Sequence, residues 1–177
     1  MIISVEKAKE LISFPDNWTD AKIRMKLLAV EQTIRAYTNN NFQNRGYRIQ
    51  AFIAGGVFMS ESLIPFSVGD TVQVSESQYN NGLYTVSDVS GDTTFTVNED
   101  TRDESAEVLI TKIEYPADVV FCCAELMEWA VQFAGKVGIK SETLSRHSVT
   151  YEDSNTMFMG YPASLLGCLK PYRKVRC

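Results

Sequence analysis

Ser145, Arg146 and His147 stand consecutively, with Cys168 and Cys177 downstream, and His147 is the only histidine in the chain. A zinc site built on paired histidines is therefore impossible. A serine hydrolase needs its nucleophile, base and acid to converge from separate elements beside an oxyanion hole, and no G-x-S-x-G stands anywhere in the chain. Cys122 and Cys123 are adjacent, so on a helix their side chains diverge by about 100° and do not chelate one ion. Gly55 and Gly56 lie outside any phosphate-cradling pattern and read as a turn. The acidic run NEDTRDESAE, Asn98 to Glu107, lacks the central glycine and regular ligand spacing of a calcium loop and reads as a solvated hairpin. No catalytic, cofactor or metal site is expected, and the chain does not read as an enzyme.

What remains is a cluster of positive charge, Lys170, Arg173, Lys174 and Arg176, with Tyr172 among them. Such a group holds nucleic acid, docks on an acidic protein surface, or simply stays in solvent. The cluster alone leaves the choice open.

The elements that carry these residues divide by period. Ser4 is a natural N-cap for a helix from Val5 to Phe14, which Pro15 stops. A second helix begins near Thr19 or Asp20 and places Ile23, Leu27, Val30, Ile34 and Tyr37 on one face before Asn39, Asn40 and Asn41 end it. A third has Pro116 in its first turn and Asp118 near the positive end of its dipole, and presents Val119, Cys123, Leu126, Ala130 and Phe133 as a stripe. It is the natural partner of the second helix.

Between them the period switches to two. Thr71–Val74, Leu83–Val89, Thr93–Val97 and Glu107–Ile113 are β-branched or alternating, Tyr47–Ala54 and Leu63–Phe66 add a strand or two, and Asn80–Gly82 and Gly91–Asp92 supply turns. Short strands in this number suit a small antiparallel barrel of SH3-like or OB-like type. The expected fold is α+β: a helical unit of residues 1–47 and 115–177, interrupted by a β module at 48–114.

Charge follows the same division. Residues 48–114 carry three Lys or Arg against eleven Asp or Glu, whereas the flanks are nearly balanced at seven against five and seven against six. A surface so acidic repels nucleic acid. The N-terminus lacks the pattern of a signal peptide, and no apolar run is long enough to span a bilayer, so the chain is expected in the cytoplasm when made, with reduced thiols. From Lys136 onward the sequence shows little periodicity for most of its length, then closes on an apolar patch and the basic cluster. A long structureless stretch in a compact domain is expected to need a partner to order it.

The flanks resemble the head–tail connector (adaptor, or head-completion) proteins of long-tailed bacteriophages. The likeness lies in Ile3–Phe42, in YPADVVFCCAELMEW from Tyr115, in K-x-G-x-x-S-E-x-x-S-x-x-x-x-x-Y from Lys136 to Tyr151, and in the GYP…LKPY pair, Gly160–Pro162 and Leu169–Tyr172. The resemblance implies a helical-bundle subunit, twelve of which form a ring below the portal, extending the DNA channel and offering a docking surface to a stopper or tail-completion protein. Its implied partners are the portal protein, neighbouring copies of itself and the stopper, with double-stranded DNA passing through without specific binding and no membrane involved. The implied location is the virion neck, after assembly in the bacterial host cytoplasm. It assigns portal and neighbour contacts to the C-terminal arm, with Leu165, Leu166 and Leu169 as apolar anchors, Pro171 limiting backbone freedom, and Lys170, Tyr172, Arg173, Lys174 and Arg176 around them. The β module departs from the many members that join the two long helices by a short loop. The rival reading is a nucleic-acid-binding module that uses the β barrel and the basic tail.

Overall fold

A computed structural model of the protein describes residues 1–134, 141–144, 147–150 and 157–175. The fold is α+β, and the chain forms two compact units: Met1–Asn40 with Tyr115–Cys177, and Asn41–Glu114.

In the helical unit, α1 (Val5–Leu11) starts where Ser4 Oγ accepts from the Lys7 backbone N–H at 3.1 Å. It ends three residues before the expected Phe14, because Ile12 turns to extended backbone and buries its side chain. Helix α2 (Asp20–Thr38) is capped by Thr19, whose Oγ1 accepts from Lys22 N, and buries Ile23, Leu27, Val30 and Ile34. Helix α3 (Ala117–Gln132) buries Val119, Cys122, Cys123, Leu126, Met127 and Ala130, and packs on α2. The expected stripes of α2 and α3 are thus buried, except that Tyr37 and Phe133 at their ends are half-buried. Phe133 closes α3 and stacks on Trp129 at 4.8 Å between ring centroids.

One carboxylate lies inside this core. Glu31 is 2% exposed, and its oxygens meet the Tyr115 hydroxyl and, at 3.6 Å, the Met1 ammonium. Burial first, and the Glu31 charge second, push the Tyr115 hydroxyl far above its ordinary pKa, so it stays a donor at all ordinary pH. Arg35 Nη1 donates to the same hydroxyl at 3.5 Å, which ties the last turns of α2 to the entrance of α3.

The other unit is a closed six-stranded antiparallel barrel. Its strands are β1 (Gln43–Ala54), β2 (Val57–Met59), β3 (Thr71–Ser75), β4 (Gly82–Ser90), β5 (Thr94–Val97) and β6 (Glu104–Ile113), ordered β1-β2-β5-β4-β3-β6 and closing on β1. Alternate residues point inward: Ile49, Ala51 and Ile53 from β1, Val72 and Val74 from β3, Val108 and Ile110 from β6. Phe58 and Phe95 stack at 4.7 Å in the middle, and Phe66 meets Phe95 edge-on at 5.6 Å. The interior is filled by side chains, as small barrels require.

Two strand expectations change. Leu63–Phe66 forms no strand; it is a loop that inserts Phe66 into the barrel. Besides β6, β1 pairs with β2, a strand too short to show a period, and Gly55 and Gly56 form the two-residue turn between β1 and β2 with φ of +58° and +78°. That double left-handed geometry suits the twist of a tight hairpin and favours glycine. The chain also leaves the helical unit earlier than expected, at Asn40 rather than Tyr47, because β1 begins at Gln43.

The acidic run is not simply solvated. Glu104 is 7% exposed and accepts from Ser77 Oγ at 2.6 Å, Asn80 Nδ2 at 2.7 Å and the Gln78 backbone N–H. Asp103 accepts from Gly55 N at 2.7 Å, and Glu99 from Thr85 N at 2.9 Å. Two carboxylates of the loop before β6 and one at the first residue of β6 thereby fasten three other segments of the barrel. Desolvation raises the Glu104 pKa, but the donors from Ser77, Gln78 and Asn80 outweigh it and hold the carboxyl below its ordinary value of 4.5.

Beyond α3 the chain forms a hairpin of β7 (Ser141–Leu144) and β8 (His147–Thr150), with Ser141 opposite Thr150 and Leu144 opposite His147. This stretch was expected to lack regular structure. The reading of Ser145 and Arg146 falls outside the described residues.

Two predictions arise here. Glu114 N donates to Phe42 O at 3.0 Å and Gln43 pairs with Ile113, so the barrel's entry and exit lie side by side. Replacing Asn41–Glu114 with a short Gly/Ser linker then costs little beyond loop-closure entropy, about 0.6 kcal/mol per doubling of loop length. The product should keep helical circular dichroism and a cooperative melt; a non-cooperative product would show that the helical unit needs the barrel. The second concerns acid. A depressed folded pKa contributes stability that is full above the unfolded value and is lost as pH falls through the folded one. Barrel stability should therefore drop below pH 4.5. Glu104→Gln should flatten that slope and cost on the order of 2 kcal/mol at neutral pH, through lost hydrogen bonds to a charged acceptor.

Candidate docking surface

The C-terminal segment begins with a hairpin of β9 (Met157–Phe158) and β10 (Tyr161–Pro162), turned by Met159 and Gly160 at φ of +48° and +85°. It continues into a 3-10 helix, Gly167–Tyr172. The Phe158 ring meets Tyr37 of α2 edge-on at 5.3 Å, and Tyr161, 3% exposed, lies 5.5 Å from Trp129 of α3. Leu166 and Leu169 are both 0% exposed, and the 3-10 helix packs against α2 and α3. Neither leucine is free to anchor on another molecule; each fills the core of its own unit. That corrects the expected role of Leu166 and Leu169 as apolar anchors on another molecule.

The backbone of the segment is clamped to the end of α2. Lys174 N donates to Thr38 O at 2.7 Å, Asn40 Nδ2 donates to Tyr172 O at 3.3 Å, and Asn39 Nδ2 donates to Lys174 O at 3.4 Å. Asn39 takes the left-handed conformation that ends a helix, φ +48°, so the residues that stop α2 also seat the C-terminal segment. Sequence reasoning found Asn39 and Asn40 as a helix stop and missed this second role. Three consecutive asparagines, where one suffices to stop a helix, were the available signal.

The other expected contact residues fall into two groups. Leu165 is half-buried, with its carbonyl oxygen accepting from the Cys122 and Cys168 thiols at 3.5 and 3.4 Å. Tyr172 is half-buried and donates to Asp118 Oδ2 at 2.6 Å, a bond to a carboxylate that raises its pKa. Lys170, Pro171, Arg173 and Lys174 are exposed, and the Arg173 guanidinium lies 5.1 Å from the Tyr37 ring centroid. Arg176 lies outside the described residues. The surface on offer is therefore a short strip of three cations on a fixed backbone. Such a strip recognises an acidic surface by charge and position.

Two thiols of α3 are buried in the core of the helical unit. Cys122 and Cys123 are fully buried, and desolvation pushes Cys123 up to about 12, so it stays a neutral apolar filler. Among the described residues no cluster of His, Cys, Asp and Glu is arranged to hold a metal ion, and no helix is long and apolar enough to cross a membrane.

The sequence matches no family model and no curated protein.

Burial separates the structural residues of the segment from the presented ones. Leu169→Ala should lower stability by about 2–5 kcal/mol, as large-to-small changes in a packed core do. Lys170→Ala and Lys174→Ala should stay within about 0.5 kcal/mol, as for exposed surface changes. Chemical denaturation of the three variants measures this, and a silent Leu169→Ala would mean that the 3-10 helix detaches in solution.

Proposed function

We propose that this chain is a structural subunit of a bacteriophage head–tail connector, forming a ring below the portal at the neck of the virion. The supporting sequence features are the motif from Lys136 to Tyr151 and the GYP…LKPY pair. The observation that carries the reading is the cation strip Lys170, Arg173 and Lys174, exposed on a backbone held by Thr38, Asn39 and Asn40. A pre-ordered strip loses little conformational entropy on binding and suits a permanent protein joint. The portal, or an adjacent copy, supplies the acidic counterpart. Apolar contact comes from the partly exposed Leu165 and from Val175, which is 87% exposed.

Double-stranded DNA passes such a ring without being gripped. The barrel unit, Asn41–Glu114, carries four Lys or Arg against eleven Asp or Glu, so it repels phosphate. The same imbalance weighs against a nucleic-acid-binding module, which needs a basic groove lined with stacking aromatics.

Purified protein mixed with tailless, DNA-filled heads should add ring density below the portal. A Lys170→Glu, Arg173→Glu, Lys174→Glu variant should remain folded and lose occupancy, most strongly at low salt, because rim charges act chiefly on association rate and salt dependence. Wild-type occupancy by the triple variant would remove the strip from the docking role. Salt-sensitive binding of the wild-type chain to naked DNA, without binding to heads, would favour the nucleic-acid reading instead.

A further inference from the structure

We propose that the outward faces of α2 and α3 bind each other between copies of this chain, the α3 face of one copy seating on the α2 face of the next. The biological setting of this contact rests on the ring reading above; its chemistry does not.

Each helix carries, opposite its buried stripe, large apolar side chains left in solvent. On α2 these are Met25, 72% exposed, and Leu28, 41% exposed, with Ala21 and Ala29 exposed beside them. On α3 it is Phe121, 66% exposed, with exposed Ala117 one turn before it. A lone exposed apolar residue needs no explanation, but two helices of one small unit both showing such residues at helical spacing is a pattern. Phe121 is the natural knob and the Met25–Leu28 pair the natural socket, since methionine adapts to an aromatic edge and the alanines let the backbones approach.

Charge decides which face meets which. The exposed side of α2 carries Lys22 and Arg24, while α3 carries Asp118, Glu125 and Glu128 and has no basic residue along its length. Pairing α3 with α3 sets carboxylates against carboxylates, and pairing α2 with α2 sets cations against cations. Only α2 against α3 joins opposite signs, and like-charge juxtaposition across an interface is costly. Because α2 and α3 pack on each other through their buried stripes, their outer faces point away from one another. A copy that uses both faces therefore binds two neighbours head to tail, an arrangement that builds a ring where its rotation closes and does not stop at a two-fold dimer.

One helix face buries less than the ~800 Å² per partner of a standard stable interface. Pairs should accordingly be weak in free solution and strengthen when a ring or template brings many faces together. The test uses the full chain. Sedimentation velocity over a wide concentration range should show reversible association, and carbodiimide treatment of mixed isotope-labelled and unlabelled protein should link Lys22 to Glu125 or Glu128 between copies. Phe121→Asp and the Met25→Asp, Leu28→Asp double variant should each weaken association at least about ten-fold. Mixed together, each variant retains one intact and complementary face, so the mixture should form one-to-one dimers and nothing larger. Glu128→Lys, an exposed change that leaves packing alone, should weaken association in the same sense and guards against misfolding of the apolar variants.

Self-association of Phe121→Asp at wild-type strength overturns the proposal. So does a mixture that stays monomeric where the wild type associates, or a wild type that remains monomeric without cross-links at every concentration. Association through these faces by a chain that ignores tailless heads would remove the connector reading and leave the interface standing. Head binding by a chain whose copies never meet through these faces would do the reverse.

Discussion

Two amphipathic helices cannot enclose a core by themselves, and that constraint organises the helical unit. When α2 and α3 bring their stripes together, the seam between them stays open along its sides. Leu169 of the 3-10 helix and Leu166 at its N-cap close one side, and Tyr161 and Phe158 extend the cover along Trp129 and Tyr37. The C-terminal segment is thus a wall of the core first and a presenting surface second. Its cations are exposed on a fixed backbone because Leu166 and Leu169, just before them, are held inside.

That double use explains what was hard to read. In GYPASLLGCLKPYRKVR the leucines stand at 165, 166 and 169, among two glycines and two prolines that break any sustained helical or strand period. Leu166 is the N-cap of the 3-10 helix and its carbonyl accepts from Leu169 N at 3.1 Å, an i to i+3 bond that lets both leucines be buried one turn apart. Where the periods were ordinary, the reading was direct: the stripes of α2 and α3, the Ser4 and Thr19 caps, and the alternating strands β1, β3 and β6 are all legible in single residues. Strand β2, three residues long, was invisible, and Leu63–Phe66 looked more like a strand than it did. What singles out Phe66 is a ring to bury, not a ladder to join.

The acidic loop of the barrel teaches a similar point about charge. Composition marks Asn98–Glu107 as a solvated face, yet Glu99, Asp103 and Glu104 each accept backbone N–H groups or side-chain donors from other segments. Turns that leave backbone donors without a ladder partner need acceptors, and a carboxylate is the strongest the sequence can provide. Part of the unit's excess acidity therefore has a structural cause. The remainder gives the unit a net negative field.

For a partner arriving at the basic strip, distance decides which charge matters. The Debye length near physiological salt is about 8 Å, so charges beyond it contribute little to a contact. The chain's net charge of −5 is then a poor guide to what the partner meets. It meets Lys170, Arg173 and Lys174, with the Asp118 carboxylate accepting from the Tyr172 hydroxyl beside them. Because Thr38, Asn39 and Asn40 fix the backbone that carries them, the cations do not have to be gathered on binding. A strip on a frayed tail would lose much of its Coulomb gain to ordering, whereas one seated on a helix end keeps it. Asn39 and Asn40, which end α2, thus set the geometry of the strip through bonds from their Nδ2 atoms to the chain's own backbone.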